Sequence, residues 1–310
     1  LVLATHRKPG TPTTPVKPRP RAAGAVSGLP WNSGVACHYP SFDDFRGRQS
    51  DVYVAFVGRT DRRSVINQIR SNEIGRFAGM PGTLSLSWPM LPAEIAHRFT
   101  ECTRGDYDQF VKDGANALKG HGFTNPIIRL GWEVNGKYPW SLGRQPDQVE
   151  QYKTCFQRQV NLFRSILPNA QIEWTNRRNG EIPYSVERAY PGDAYVDIIA
   201  MMLYDRWPIH PDQRAWDAAY SKTKFGGPFG FASYLAFARE RNKKLAISEW
   251  AISNNDNDPK STDNPFYIQK MYDLFRENAA DIAYEAYFNC GQAGEGYKLA
   301  PNTLNPKGAA

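Results

Sequence analysis

Eight short runs of apolar and β-branched residues recur between positions 34 and 289, and longer stretches of helical period separate most of them. Runs of this length bounded by turn residues read as buried strands, and strands that alternate with helices build a parallel sheet. The runs are Gly34 to His38, Val52 to Val57, Thr83 to Trp88, Ile127 to Glu133, Gln171 to Asn176, Val196 to Tyr204, Leu245 to Trp250 and Ile282 to Asn289. Helical spacing covers Arg62 to Phe77, Tyr107 to Gly120, Pro146 to Ile166, Phe231 to Asn242 and Pro265 to Asn278. The interval after the first run leaves barely room for a helix, and the one after the fifth holds only a short candidate, Tyr184 to Ala189. A doubly wound open sheet would show the same alternation. Polar residues decide between the two: Glu133, Asn176, Tyr204, Glu249 and Asn289 end different runs. A closed barrel gathers such ends at one mouth, where active sites of that fold lie. The expected fold class is therefore α/β, a (β/α)8 TIM barrel forming a single catalytic domain over 31–310.

The first thirty residues are of another kind. They hold six prolines and almost no large apolar side chains, so they cannot bury enough surface to offset the entropy of ordering, and a disordered linker is expected over 1–30. Arg7, Lys8, Lys17, Arg19 and Arg21 lie there with no acidic residue, so the net charge of +7 falls to +2 for the remainder. That distribution argues against a nucleic-acid partner, since no basic groove or recognition motif accompanies it. No run of eighteen apolar residues is present, so no membrane-spanning helix is expected. A chain beginning at Leu1 leaves open a signal peptide, anchor or further domain upstream. A monomer is expected.

Four cysteines without CxxC spacing argue against zinc and against a thioredoxin-like redox site. Cys37 ends the first run and Cys290 follows the last, and barrel closure makes those strands neighbours. Cys102 and Cys155 fall near the starts of consecutive barrel helices. Two bridges, Cys37–Cys290 and Cys102–Cys155, are expected, and they suit a secreted or cell-envelope location. Four buried thiols are the alternative, and a count of free thiols in the denatured, unreduced chain separates the two.

The chemistry rests on two strand-end carboxyls. Side-chain alternation through Arg129-Leu130-Gly131-Trp132-Glu133 puts Glu133 on the face of Gly131 and Arg129, and through Leu245-Ala246-Ile247-Ser248-Glu249 it puts Glu249 with Ile247 and Leu245. Alone, either is as well read as a structural salt-bridge partner. Their surroundings favour catalysis. The segment Arg129-Leu130-Gly131-Trp132-Glu133-Val134-Asn135-Gly136-Lys137-Tyr138-Pro139-Trp140 resembles the strand-four motif of family 26 glycoside hydrolases, the mannanase family of a large retaining TIM-barrel clan. Tyr190-Pro191-Gly192-Asp193-Ala194-Tyr195-Val196-Asp197 followed by Tyr204-Asp205 is similar to that family's approach to strand six. Ala246-Ile247-Ser248-Glu249-Trp250-Ala251 is similar to its strand-seven nucleophile motif. The resemblance, in family order from Gly34 to Asn289, implies Glu133 as acid/base, Glu249 as nucleophile and Tyr204 as a phenol bonded to the nucleophile. One departure is plain. Most members carry His before the acid/base and this chain has Trp132, which can form an apolar wall but cannot act as imidazole does. The substrates implied are β-mannan, β-glucan, xylan or a bacterial exopolysaccharide.

Other candidates follow from position. Arg129 sits where it can orient a carboxylate or pair in the barrel core. Trp88, Trp132, Trp140, Trp207, Trp250 and Tyr287 lie at or after strand ends, where aromatic faces would meet sugar rings, although most aromatics in any domain are core. Asn135, Asn176, Asp205, Asn289 and His38 complete the set of expected substrate contacts. Glu173, Glu285, Asp193 and Asp197 are rival carboxylates; the last two read as turn and strand-entry residues. No metal constellation or cofactor motif is present. The expected activity is retaining, endo-acting glycoside hydrolysis of a polysaccharide or oligosaccharide, with a non-catalytic glycan-binding barrel as the alternative.

Overall fold

The structure, a computed structural model, describes residues 25–178, 180–206, 208–254, 262–291 and 296–310. Eight parallel strands close into a barrel in which chain neighbours are also spatial neighbours: β1 Ser33–Ala36, β2 Val52–Phe56, β3 Thr83–Trp88, β4 Ile127–Leu130, β5 Gln171–Arg177, β6 Ile198–Tyr204, β7 Lys244–Ala251 and β8 Ile282–Phe288. Closure pairs Ser33 to Ala36 with Glu285 to Phe288. The (β/α)8 TIM barrel read from the alternation is the fold.

Helices occupy the intervals with instructive exceptions. The short interval after β1 does hold a helix, α1 Tyr39–Arg46, because Pro40 near its start and a left-handed Gly47 just past its end delimit two compact turns. The helical stretch expected over Arg62 to Phe77 divides into α2 Arg62–Arg70, α3 Asn72–Gly75 and a 3-10 turn, Arg76–Gly79. Ser71 ends α2 in extended backbone and caps α3 by accepting from the Glu73 amide. Then come α4 Phe99–Arg104, α5 Asp108–Gly120 and α6 Val149–Ile166. After β5 only a 3-10 turn forms, Val186–Ala189. Between β6 and β7 lie α7 Gln213–Tyr220, a two-stranded hairpin of Thr223–Lys224 with Gly227–Pro228, and α8 Phe231–Glu240; α9 Pro265–Glu277 precedes β8.

The barrel body begins before position 31. Ser27 is buried and its amide donates to Asp51 Oδ1 (3.0 Å), while Asp51 Oδ2 accepts from the Ser33 amide (2.8 Å). Residues 1–24, on which most of the expected linker falls, lie outside the described residues.

The interior has two storeys. Ala36, Val52, Val54, Ile127, Ile198, Ala200, Ala246, Tyr284 and Ala286 fill the inward face as one apolar cluster. Four of these are alanines, and the room they leave is taken by the fully buried Arg129 and Tyr284. The mouth-side storey is polar: Ser85, Ser87, Arg129, Glu173, Thr175, Ser248 and Glu249 are all buried. The larger apolar core lies outside the strands, between sheet and helices. Both disulfides form as expected. Cys37–Cys290 (Cα–Cα 5.0 Å) joins the ends of β1 and β8, and Cys102–Cys155 (5.3 Å) ties α4 to α6. Cys102 therefore sits on a separate short helix ahead of α5. Among the described residues no helix is long and apolar enough to cross a membrane.

Candidate active site

Glu249 reaches the barrel interior by a route that strict alternation does not allow. Ala246 belongs to the inward cluster and Ile247 to the helix-facing core. The register with β6 then slips, Met201 pairing with Ile247 but Met202 with Glu249, and the register with β8 shows the same extra residue in β7, Glu285 pairing with Ile247 and Tyr287 with Trp250. A β-bulge of this kind re-aims a side chain. Ser248 and Glu249 both face inward, so Glu249 does not share a face with Ile247 and Leu245 as expected. Arg129 Nη2 donates to Glu249 Oε1 (2.6 Å) and Tyr204 Oη donates to Oε2 (2.6 Å). Both carboxylate oxygens thus meet donors, which an acceptor-only group requires. Burial and the neighbouring Glu249 hold the Tyr204 phenol well above its ordinary pKa, so it remains a donor.

Arg129 is itself fixed from below. Its Nε donates to Glu173 Oε1 (3.2 Å) and its Nη1 to Ser87 Oγ (2.8 Å). Glu173 also accepts from Thr175 Oγ1 (2.6 Å) and from the Tyr284 phenol. Glu173 is therefore the counterion of Arg129 inside the barrel rather than a rival catalyst. Arg129 is fully buried, pairs with Glu249 and is not among the residues that line the cavity.

Glu133 is reached differently. β4 ends at Leu130, and Gly131 (φ 58°) and Glu133 (φ 55°) both adopt left-handed backbone, so a turn places the carboxyl where strand alternation had been expected to. Such a conformation costs a non-glycine residue of order 1–3 kcal/mol and persists where surrounding structure enforces it. Here the enforcement is visible. The Glu133 carbonyl accepts from Ser141 Oγ (2.6 Å) and the Gly136 amide (2.8 Å), and Trp140 Nε1 donates to the Trp132 carbonyl (2.7 Å). Asn135 clips this loop to the end of β5, donating to the Arg177 carbonyl (2.8 Å) and accepting from its amide (2.9 Å). A Cβ on Gly180 would fall 2.1 Å from Asn135 Nδ2, so only glycine admits that clip. The Glu133 carboxyl accepts no hydrogen bond among the described residues, and Arg177 Nη1 lies 3.6 Å away. Burial, reinforced by the charge of Glu249, pushes its pKa up from 4.5 to about 7 against the pull of Arg177, Arg129 and Arg59.

The two carboxyls line one cavity of about 390 Å³ at the mouth, with Lys137, Tyr138, Arg177, Arg178, Met202, Tyr204, Arg206, Phe288 and Tyr297. Several expected substrate contacts are not there. Trp88 is buried on the helix side of β3, stacked on Phe110 with its Nε1 on Gln159 Oε1 (3.1 Å). Trp140 and Trp132 are buried against each other (4.4 Å between centroids) beneath the Glu133 loop. Trp132 thus forms the apolar wall expected of it, but behind the cavity. Trp250 and Tyr287 pack edge to face in the outer core (4.9 Å), and Trp250 Nε1 donates to Glu285, which disposes of Glu285 as a rival. Asn176 faces outward because Glu173, Thr175 and Arg177 take the inward positions of β5; it is fully buried. Asn289 holds the C-terminal segment through the Leu299 and Ala300 amides (2.8 and 3.1 Å), and Asp205 is buried against His210 and Asn264. Asn135 is a loop clip, and exposed His38 precedes α1 away from the cavity lining. Trp207 lies outside the described residues.

Aromatic contacts instead come from Tyr138, Tyr204, Phe288 and Tyr297. Phe288 was legible, since it shares a face with Tyr284 and Ala286; Tyr297 was not, because it arrives on irregular chain. The adjacent pair Arg177-Arg178 at the end of β5 is a signal that sequence reading passed over. Among the described residues no group of three His, Cys, Asp or Glu side chains converges to hold a metal.

Comparison with known proteins follows this geometry. The family model described as Glycosyl hydrolase family 26 matches residues 101–272, more than half of the chain. Solved structures share the fold: a modular endo-β-1,4-mannanase from Cellulomonas fimi (TM-score 0.65, 14% identity, 90% of this chain and 70% of that one) and a β-mannanase from Bacteroides ovatus (0.62, 13%, 90% and 86%). An endo-β-1,4-mannanase catalytic domain from Bacillus sp. JAMB-750 does so as well (0.63, 15%, 92% and 85%). No curated protein matches the chain in sequence. With two glutamates on one barrel-mouth cavity and more than half of the chain covered by the family, the chain belongs to glycosyl hydrolase family 26 and is an O-glycosyl hydrolase.

Proposed function

We propose that the chain cleaves a polysaccharide internally with retention of anomeric configuration, Glu249 acting as nucleophile and Glu133 as acid/base. The observation that carries this reading is the unlike setting of the two carboxyls: Glu249 is doubly hydrogen-bonded, while Glu133 has no hydrogen bond among the described residues and has a pKa of about 7. Glycoside hydrolysis needs that inequality. Glu133 gives its proton to the leaving oxygen while Glu249 attacks the anomeric carbon and forms a glycosyl-enzyme ester. Glu133, now ionised, takes a proton from water, and the resulting hydroxyl displaces Glu249. Tyr204 and Arg129 orient Glu249 for attack. Endo action draws on the likeness to endo-β-1,4-mannanases; Trp132 in place of the usual histidine keeps glucan, xylan and exopolysaccharide beside mannan as substrates. Two disulfides support work outside the reducing cytosol, secreted or at the cell envelope.

The test is a panel of these polysaccharides, following reducing ends and, for the glycan cleaved, the first anomer formed by NMR. The expected product keeps the substrate's configuration; an inverted first product would overturn the nucleophile assignment.

A further inference from the structure

Four cations, Lys137, Arg177, Arg178 and Arg206, line the cavity around its two carboxyls, although residues 31–310 carry a net charge of only +2. Two of the four are engaged elsewhere: Lys137 pairs with Glu181 (2.8 Å), and Arg206 donates to the Tyr297 phenol (2.8 Å). The remaining two are the informative ones.

Arg178 is 8% exposed. Its Nη1 lies 2.9 Å from His210 Nε2, and because a guanidinium can only donate, Nε2 is the acceptor and the ring proton sits on Nδ1, directed at Asp205 Oδ1 (2.9 Å). The nearest carboxylate therefore stands behind an imidazole, and no carboxylate among the described residues pairs directly with this nearly buried guanidinium. A buried cation without a paired anion is costly, and burial lowers its pKa accordingly. Arg177 ends β5 on the inward face and is one-third exposed. Its guanidinium makes no hydrogen bond among the described residues, and its nearest acid is Glu133 at 3.6 Å. That acid is protonated when it serves as the general acid, so in the productive state Arg177 also faces the cavity without a counter-charge.

Neutral sugars can accept hydrogen bonds from a guanidinium but do not neutralise its charge. Anions do, since carboxylate and sulfate accept two parallel N–H bonds from such a fork. We infer that the substrate is an acidic glycan, carrying a carboxylate or sulfate on the sugar that lies against Arg177 and Arg178. This rests on the glycosidase reading above and narrows its substrate class: the anion anchors the sugar beside Glu133 and Glu249 without taking part in bond cleavage.

Binding of monosaccharides, which present no bond to cleave, tests it by calorimetry on the intact chain. D-Glucuronate and D-mannuronate are compared with D-glucose and D-mannose, and glucose 6-sulfate provides the sulfate arm. At least one acidic sugar is expected to bind on the order of 10-fold or more tightly than its neutral parent, with the advantage shrinking as salt is raised. Preference for the uronates assigns carboxylate, and preference for the sulfated sugar assigns sulfate. The advantage should disappear in Arg177→Gln, whose partly exposed site leaves the fold intact by thermal melting, and in Arg178→Gln. Acidic sugars that bind no better than neutral ones, or an advantage that survives both substitutions, overturn the inference. Turnover separates the two readings. Cleavage of a neutral glycan with no acidic preference sinks the substrate class alone, whereas unchanged turnover in Glu133→Gln and Glu249→Gln sinks the glycosidase assignment whatever the sugars do.

Discussion

Glu249 sits within a strand and Glu133 three residues past the end of one, and nothing about their support is alike. A bulge in β7 turns Glu249 into the barrel, where Arg129 and Tyr204 meet both of its oxygens and the Arg129–Glu173–Tyr284 network stiffens the floor. A left-handed turn lifts Glu133 above β4, with its backbone tightly held and its carboxyl without a hydrogen bond among the described residues. The comparison teaches how one cavity keeps two chemically identical groups in different states. One is surrounded by donors. The other is desolvated beside a like charge.

The comparison is broken most directly at the carboxyls themselves. Glu249→Gln removes the proposed nucleophile and should lower kcat by roughly 10⁴-fold or more. Glu133→Gln should cost about 10²- to 10⁴-fold. A substrate with a good leaving group, which needs no proton, should recover the first step in the Glu133 variant only. Burst kinetics on an aryl glycoside reads the difference, and equal recovery in both variants would reverse the roles.

The supports come next. Arg129→Met strands Glu173 and Glu249 as buried, unpaired charges and should destabilise the fold by about 3–5 kcal/mol in urea unfolding. Arg177→Gln, beside the less dependent carboxyl, should cost no more than about 1 kcal/mol. Equal losses would mean that the two glutamates are equally anchored.

A further contrast is in pH. The folded chain holds the Glu133 proton more tightly than the unfolded chain, with a pKa of about 7 against 4.5. That contribution to stability is complete below pH 4.5 and is lost as pH rises through 7. Glu133→Gln, neutral throughout, should match the wild type near pH 4.5 and exceed it above pH 7 by no more than roughly 3 kcal/mol. Chemical unfolding at the two pH values measures this, and a constant difference would remove the desolvation argument. For the same reason, wild-type kcat/KM should fall as pH passes about 7.

Much of this molecule is written in local pattern. Strand order, barrel closure and the two disulfide pairings follow from where apolar runs and cysteines fall, because a closed parallel barrel makes chain neighbours into spatial neighbours. That Glu133 and Glu249 would meet at one barrel mouth was equally legible from the motifs around them. Their presentation was not. Period-two alternation is a property of regular strand, and it fails where β7 inserts an extra residue and where β4 gives way to left-handed turns; both distortions are fixed by neighbouring strands and loops. The aromatics show the same limit. Trp88, Trp140, Trp250 and Tyr287 stand at strand ends in the sequence, but which face a ring takes depends on packing against helices from distant parts of the chain. The cations of the cavity are the clearest case. Composition located the excess positive charge in the first thirty residues, whereas only the folded barrel shows that Arg177 and Arg178 stand at the mouth where, among the described residues, no carboxylate lies directly against Arg178 and Glu133 is the acid near Arg177. Charge pairing is a relation between residues far apart in sequence, and tertiary structure alone decides it.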